Sequence, residues 1–184
     1  MPQLQLRTRR RKAEPDAAKF PLRVAAVDVG SNAIRFLAAE FTALGTYEVL
    51  EEERVPVRLG HDVFLTGRLT PEAMDAAVQA IAGFRARMEA LGIENYRAVA
   101  TSATRESRNG TDLVARIRRE AGIELEVITG QEEARLVYLA VANRVGFGDD
   151  KWITVDVGGG SVEVSLVDAS GILWSESHVM GSVR

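Results

Sequence analysis

Val27-Asp28-Val29-Gly30-Ser31 closes one apolar run of this chain, and Val155-Asp156-Val157-Gly158-Gly159-Gly160-Ser161 closes another. Each stretch reads as a buried strand that ends on an aspartate and breaks into a glycine turn. Each is followed by two further extended segments. The two aspartates stand 128 positions apart, too far for a solenoid repeat and a sensible length for a duplicated unit.

Working outward from the first turn, Leu22–Val29 is a strand, and Ile34–Phe41 and Tyr47–Arg58 are two more, parted by Gly45-Thr46. A helix is expected over 71–91, with Thr70 as N-cap, Pro71 at the first helical position and Gly92 as the stop. Its apolar residues Met74, Ala77, Val78, Ile81, Phe84, Met88 and Leu91 recur at helical spacing. A strand at Arg97–Thr101, a helix at 111–121, a strand at Leu125–Ile128 and a helix at 130–144 follow. Around the second turn the pattern predicts strands at 152–157, 161–168 and 171–179.

The order is βββαβαβα and then βββ again. Three strands without covering helices cannot bury both faces of a mixed sheet. The expectation is therefore an α/β protein with a basic, disordered arm over 1–20, a first unit over 21–145, and the opening strands of an incomplete second unit over 146–184. In the alternative, strands 152–179 extend the first sheet.

Composition narrows the function. Apolar residues make up 46% of the 184 and charged ones 27%, which suits a soluble globular protein with a real core. No apolar run reaches the roughly 18 residues of a membrane-spanning helix, and nothing resembles a secretory signal, so a cytoplasmic location is expected. With no cysteine, thiolate metal sites and thiol nucleophiles are excluded. The net charge of −3 divides unevenly: Arg7, Arg9, Arg10, Arg11, Lys12 and Lys19 outweigh Glu14 and Asp16 in the arm, so the body is acidic. An acidic body argues against nucleic acid as the main partner.

Two glycine turns at equivalent places of a repeat point to phosphate. Glycines let backbone N–H groups close around an anion as a nest, and an aspartate at the strand end can hold Mg²⁺ or position water. Strand alternation puts Ser161, Glu163 and Ser165 on one, polar face and Val162, Val164 and Leu166 on the other. Glu163 then lies across the hairpin from Asp156, a carboxylate pair suited to Mg²⁺.

Thr129 and Glu132 have capping-box spacing, which leaves Glu133 in the first turn free to act as a general base or to compensate the helix dipole. Arg105, after a strand in Ala100-Thr101-Ser102-Ala103-Thr104-Arg105-Glu106, can bind phosphate or serve as a surface ion-pair partner. Arg35 is read as a strand residue facing solvent. His61 and His178 lack partners at metal-ligand spacing, and neither G-x-x-x-x-G-K-[ST] nor G-x-G-x-x-G occurs.

Five motifs in order, Asp28–Arg35 (DVGSNAIR), Val57–Gly60 (VRLG), Ala100–Glu106 (ATSATRE), Gly130–Arg135 (GQEEAR) and Asp156–Glu163 (DVGGGSVE), make residues 22–184 resemble the exopolyphosphatase/guanosine-pentaphosphatase family. The resemblance implies the duplicated actin-like ATPase fold of the ribonuclease H-like, sugar kinase, Hsp70 and actin superfamily. It also implies release of orthophosphate from polyphosphate or from guanosine pentaphosphate (pppGpp). By the same resemblance Glu133 is the base that activates water, and Asp156 and Glu163 hold Mg²⁺. Gly30, Ser31 and Asn32 with Gly158, Gly159, Gly160 and Ser161 cradle phosphates, and Arg105 neutralises the polyanion.

The family often dimerises, so a homodimer is expected of the complete protein. Two departures stand out: Ala33 replaces a hydroxyl residue found in many members, and the chain stops at Arg184 within a Met180-Gly181-Ser182-Val183-Arg184 segment. A weakly active or inactive fragment is the corresponding expectation. The competing readings are a non-catalytic polyphosphate- or alarmone-binding regulator on the same fold, and an actin-like ATPase or sugar kinase. Glu133 with Asp156 and Glu163 favours the enzyme, because a pure binder needs no base.

Overall fold

The computed structural model describes residues 19–184, so all but Lys19 and Phe20 of the predicted basic arm lies outside the described residues. β1 (Leu22–Val29), β2 (Ile34–Ala43) and β3 (Thr46–Val55) form an antiparallel meander. β4 (Asn95–Ala100) pairs parallel to the free side of β1, and β5 (Leu125–Val127) pairs parallel to β4, giving the order β3-β2-β1-β4-β5. β1 is thus central, and its alternate residues Ala25, Val27 and Val29 are buried.

One face of this sheet is covered by α2 (Pro71–Ala90) and α4 (Gly110–Ala121). Ile81, Phe84, Met88, Leu113 and Ile117 are fully buried there, each such side chain being worth about 1.5–3 kcal/mol of transfer free energy. Phe84 stacks on Phe36 of β2 with ring centroids 5.0 Å apart. α2 starts as its sequence dictates: the Thr70 hydroxyl accepts from the Ala73 amide at 3.2 Å and Pro71 opens the helix.

Two helices were not legible in the sequence. The segment read as strand through Arg58 ends at Val55, and Arg58 then turns into the left-handed region (φ 57°, ψ 42°) to start α1 (Leu59–Thr66). The Ala100–Glu106 motif contains α3 (Ser102–Glu106).

β6 (Trp152–Val157), β7 (Val162–Asp168) and β8 (Gly171–His178) form a second, separate antiparallel sheet in the order β6-β7-β8. α5 (Gly130–Ala142) lies across it: the Tyr138 hydroxyl donates to the Asp168 carbonyl at 3.1 Å, and its ring stacks on Phe147 at 5.8 Å. The polar face of β7 is the covered one, with Glu163 and Ser165, and Ser161 just before the strand, each at most 3% exposed. The apolar residues of β6, Ile153, Val155 and Val157, are exposed on the opposite side.

The capping box at α5 is half made. Thr129 Oγ1 accepts from the Glu132 amide at 3.2 Å. The Glu132 carboxylate does not return to the cap; it pairs with Arg97 and Arg135 instead, and two guanidiniums outbid one amide. Among the described residues no helix is long and apolar enough to cross a membrane.

Candidate functional site

The two glycine turns share one construction. In the first, the Gly30 amide donates to the Ala33 carbonyl at 3.1 Å; in the second, the Gly158 amide donates to the Ser161 carbonyl at 2.9 Å. The turns meet face to face, so that a Cβ added to Gly159 would lie 3.1 Å from Ser31 Cβ, tighter than side chains ordinarily pack. At Gly160 an added Cβ would run into the Phe64 ring and Ser102 Oγ, so glycine there is a requirement of packing.

Between the turns lies a cavity of about 240 Å³, predominantly polar in its lining. Of the residues predicted from sequence, Gly30, Ser31, Asn32, Glu133, Asp156, Gly158, Gly159 and Ser161 line it. Gly160, Glu163 and Arg105 stand outside the lining. The cavity also takes Asp28, Ala33, Arg35, Thr101, Ser102 and Ser182. Arg35, read as solvent-facing, is indeed exposed, and from there it also lines the cavity and pairs with Asp28 at 3.0 Å. Thr101 and Ser102 were legible as hydroxyls after a strand, and Ser102 Oγ lies 2.8 Å from Ser31 Oγ at the cavity floor. Nothing in the sequence marked Ser182.

Among the described residues the amides of Ser31, Asn32, Gly159 and Gly160 donate to no protein acceptor. Amides left free around a polar cavity form an anion nest. The carboxylates sit to one side of it. Asp156 is the register partner of Glu163 across the β6–β7 hairpin. Glu163 is 2% exposed; Ser177 donates to its Oε1 at 2.8 Å, and its Oε2 is buried with no hydrogen-bond partner among the described residues. A buried carboxylate oxygen left without a donor is costly and calls for a cation.

Two carboxylates on one hairpin fit a magnesium ion, which binds through one or two carboxylates and completes its shell with water and substrate phosphate oxygens. Among the described residues no three His, Cys, Asp or Glu side chains converge into a protein-only cage.

Glu133, at the first turn of α5, has its carboxyl pushed up to about 7, chiefly by burial, then by the neighbouring Glu163 charge, with Arg105 opposing. Arg105 Nη1 donates to the Ile128 carbonyl at 2.8 Å and to Glu133 Oε2 at 3.3 Å. The arginine thus orients the glutamate, and its other nitrogens have no partner among the described residues. The Asp28 carboxyl is also raised, by burial above all, with Arg35 pulling it down and Asp156 pushing it up. Glu132 is the opposite case, held down at about 2 by its hydrogen bonds to Arg135 and Arg97. Of the neighbouring glutamates 132 and 133, the one at the cavity is therefore the one whose carboxyl is raised toward neutral pH.

A family model described as the Ppx/GppA phosphatase family matches residues 39–184. Exopolyphosphatase 1 of Mycobacterium tuberculosis is 32% identical over 144 residues, which cover 78% of this chain and 42% of that protein. The corresponding protein of Mycobacterium leprae is 33% identical over the same length. Among solved structures, an exopolyphosphatase from Cytophaga hutchinsonii superposes with a TM-score of 0.84 at 33% identity, covering 88% of this chain and 52% of that one.

An Aquifex aeolicus Ppx/GppA family member gives a TM-score of 0.78 at 31% identity, again with 52% of its length covered. The chain therefore spans about half the length of the relatives it matches. The ethanolamine utilization protein EutJ of Carboxydothermus hydrogenoformans, at 18% identity and a TM-score of 0.50, shares the fold alone. The fold is the α/β, actin-like ATPase fold that the motifs imply.

Proposed function

Because the chain belongs to the Ppx/GppA phosphatase family, we propose that it serves a phosphohydrolase that releases orthophosphate from the end of inorganic polyphosphate or from the 5′ end of guanosine pentaphosphate. The observation that carries this reading is Glu133: a half-buried carboxylate with its pKa moved to about 7, at the edge of a cavity walled by two glycine turns.

The turns supply free amides to the terminal phosphate from both sides. Glu133, in its ionised form, takes a proton from the attacking water as the new O–P bond forms and the anhydride P–O bond breaks. The products are orthophosphate and a chain one phosphate shorter. Arg105 keeps Glu133 aimed and offers its remaining N–H groups to the polyanion. Asp156 and Glu163 would hold Mg²⁺, which when bound neutralises charge on the phosphoryl oxygens. Catalysis by position and charge suits phosphoryl transfer, whose transition state asks for little covalent help.

The test compares the chain with its Glu133→Gln variant, each alone and fused to the remaining half of the Cytophaga enzyme, in Mg²⁺-dependent phosphate release from polyphosphate and from guanosine pentaphosphate. A loss of about 10²-fold or more in the variant, the usual scale for a general base, supports the hydrolase. Tight binding of either compound without release from any of the four proteins would leave a binding regulator in its place.

A further inference from the structure

We infer that the segment Gly181–Arg184 is a strap that sets the direction of the amides in the second glycine turn, with Arg184 as its positioning residue. The inference rests on reading that turn as a phosphate cradle. Three successive carbonyls of the turn are taken by three successive residues of the strap. Ser182 N donates to Gly158 O at 3.1 Å, Val183 N to Gly159 O at 2.9 Å, and Arg184 Nε to Gly160 O at 2.7 Å. In a planar trans peptide the C=O and the following N–H point in opposite directions. Drawing the carbonyls of 158, 159 and 160 to one side therefore turns the amides of 159, 160 and 161 to the other, the side on which Gly159 and Ser161 line the cavity.

The first turn is held by the same logic but with backbone alone. Gly60 N donates to Ser31 O at 2.7 Å and Arg58 N to Asn32 O at 3.1 Å, which directs the amides of Asn32 and Ala33. In the second turn the last carbonyl is held by a side chain, and that side chain is anchored elsewhere. The Arg184 guanidinium lies over the Phe64 ring of α1, 4.1 Å from its centroid, and pairs with Glu106 of α3. Phe64 in turn packs against Gly160. One guanidinium thereby joins the second turn to two helices of the first sheet and fixes the distance across the cradle. A planar fork with a flat face is suited to this, and an ammonium is not.

The experiment titrates the chain with inorganic tripolyphosphate by calorimetry and follows the Gly159, Gly160 and Ser161 amides by ¹H–¹⁵N spectra. Arg184→Ala is expected to weaken binding about tenfold and to move the Gly160 and Ser161 amide resonances before ligand is added. Arg184→Lys should recover less than half of that loss on a logarithmic scale. Glu106→Gln, which frees the anchor and leaves Arg184 in place, should weaken binding about threefold, with its melting temperature within a few degrees of the parent.

Arg184→Lys binding as tightly as the parent would show plain charge attraction and overturn the positioning role. Parental affinity in both Arg184→Ala and Glu106→Gln would overturn it as well. If the unaltered chain binds no tripolyphosphate, the cradle reading fails and this inference with it.

Discussion

The two β-hairpins that carry the glycine turns have the same register and opposite charge at one place. In the first, Asp28 of β1 faces Arg35 of β2; in the second, Asp156 of β6 faces Glu163 of β7. The first pair neutralises itself at 3.0 Å. The second leaves two carboxylates together, one with a buried oxygen that no donor among the described residues reaches. A repeated hairpin thus has one self-sufficient side and one with two uncompensated carboxylates, and under the proposed function the second is the side on which Mg²⁺ would sit. The sheets differ in the same direction. The inner face of β2 buries Ile34, Phe36 and Ala38, whereas the covered face of β7 is Glu163 and Ser165 with Val167.

The largest expected effect tests that difference in cores. Phe36→Ala should cost about 3–5 kcal/mol of stability, because a fully buried aromatic and its stack on Phe84 are lost. Val155→Ser, on the exposed outer face of β6, should stay within about 0.5 kcal/mol. Urea denaturation measures both. A loss above about 2 kcal/mol for Val155→Ser would mean that the exposed face is covered in solution.

Next comes the charge asymmetry itself. Glu163→Gln should abolish any rise in melting temperature that Mg²⁺ gives the tripolyphosphate-bound chain, and should cut Mg²⁺-dependent phosphate release by more than about 10²-fold, an activity effect on the general-base scale. In metal-free buffer the same variant should be as stable as the parent or more so, by about 1 kcal/mol, since an uncompensated buried carboxylate is removed. Retained stabilisation by Mg²⁺ would place the ion elsewhere.

A smaller effect is expected from pH. The Glu133 carboxyl is raised to about 7, so phosphate release should fall about tenfold per unit below that pH and level off above it. Stability moves the other way. The folded chain favours the uncharged carboxyl, so the stability it contributes is full below the ordinary value of 4.5 and is lost as the pH climbs through 7. Thermal melts between those limits should show this decline in the parent and a flatter profile in Glu133→Gln.

How far the sequence reaches is clear from particular elements. α2 was legible because Thr70, Pro71 and a long apolar period all agree. α1 was not, because it is eight residues long, has no side-chain cap and begins from Arg58 in a left-handed conformation that no local signal announces. α3 is shorter still, and Thr101 makes no capping bond. At the site, the glycine turns and the Asp156–Glu163 pairing follow from strand alternation alone. The burial of Glu163 does not, since a serine- and glutamate-bearing face reads as solvent-facing until α5 is laid across it. Likewise the contact between Arg105 of α3 and Glu133 of α5 depends on how those two helices are placed, the residues being 28 positions apart in sequence.

The smallest effect belongs to the self-sufficient hairpin. Asp28 and Arg35 keep 40% and 59% of their side-chain surface exposed, so their ion pair should contribute no more than about 1 kcal/mol. A double-mutant cycle of Asp28→Asn and Arg35→Met under urea denaturation measures it. In Arg35→Met, Asp28 loses the partner that opposes its upward shift and stands beside Asp156, so its carboxyl should titrate higher still. A coupling near zero, with that upward move observed by ¹³C carboxyl shifts, would mean that Arg35 faces Asp28 to control charge at the cavity and not to hold the hairpin together. A coupling above about 2 kcal/mol would instead make the first hairpin's pair a structural device, and the charge difference between the two hairpins would lose its functional meaning.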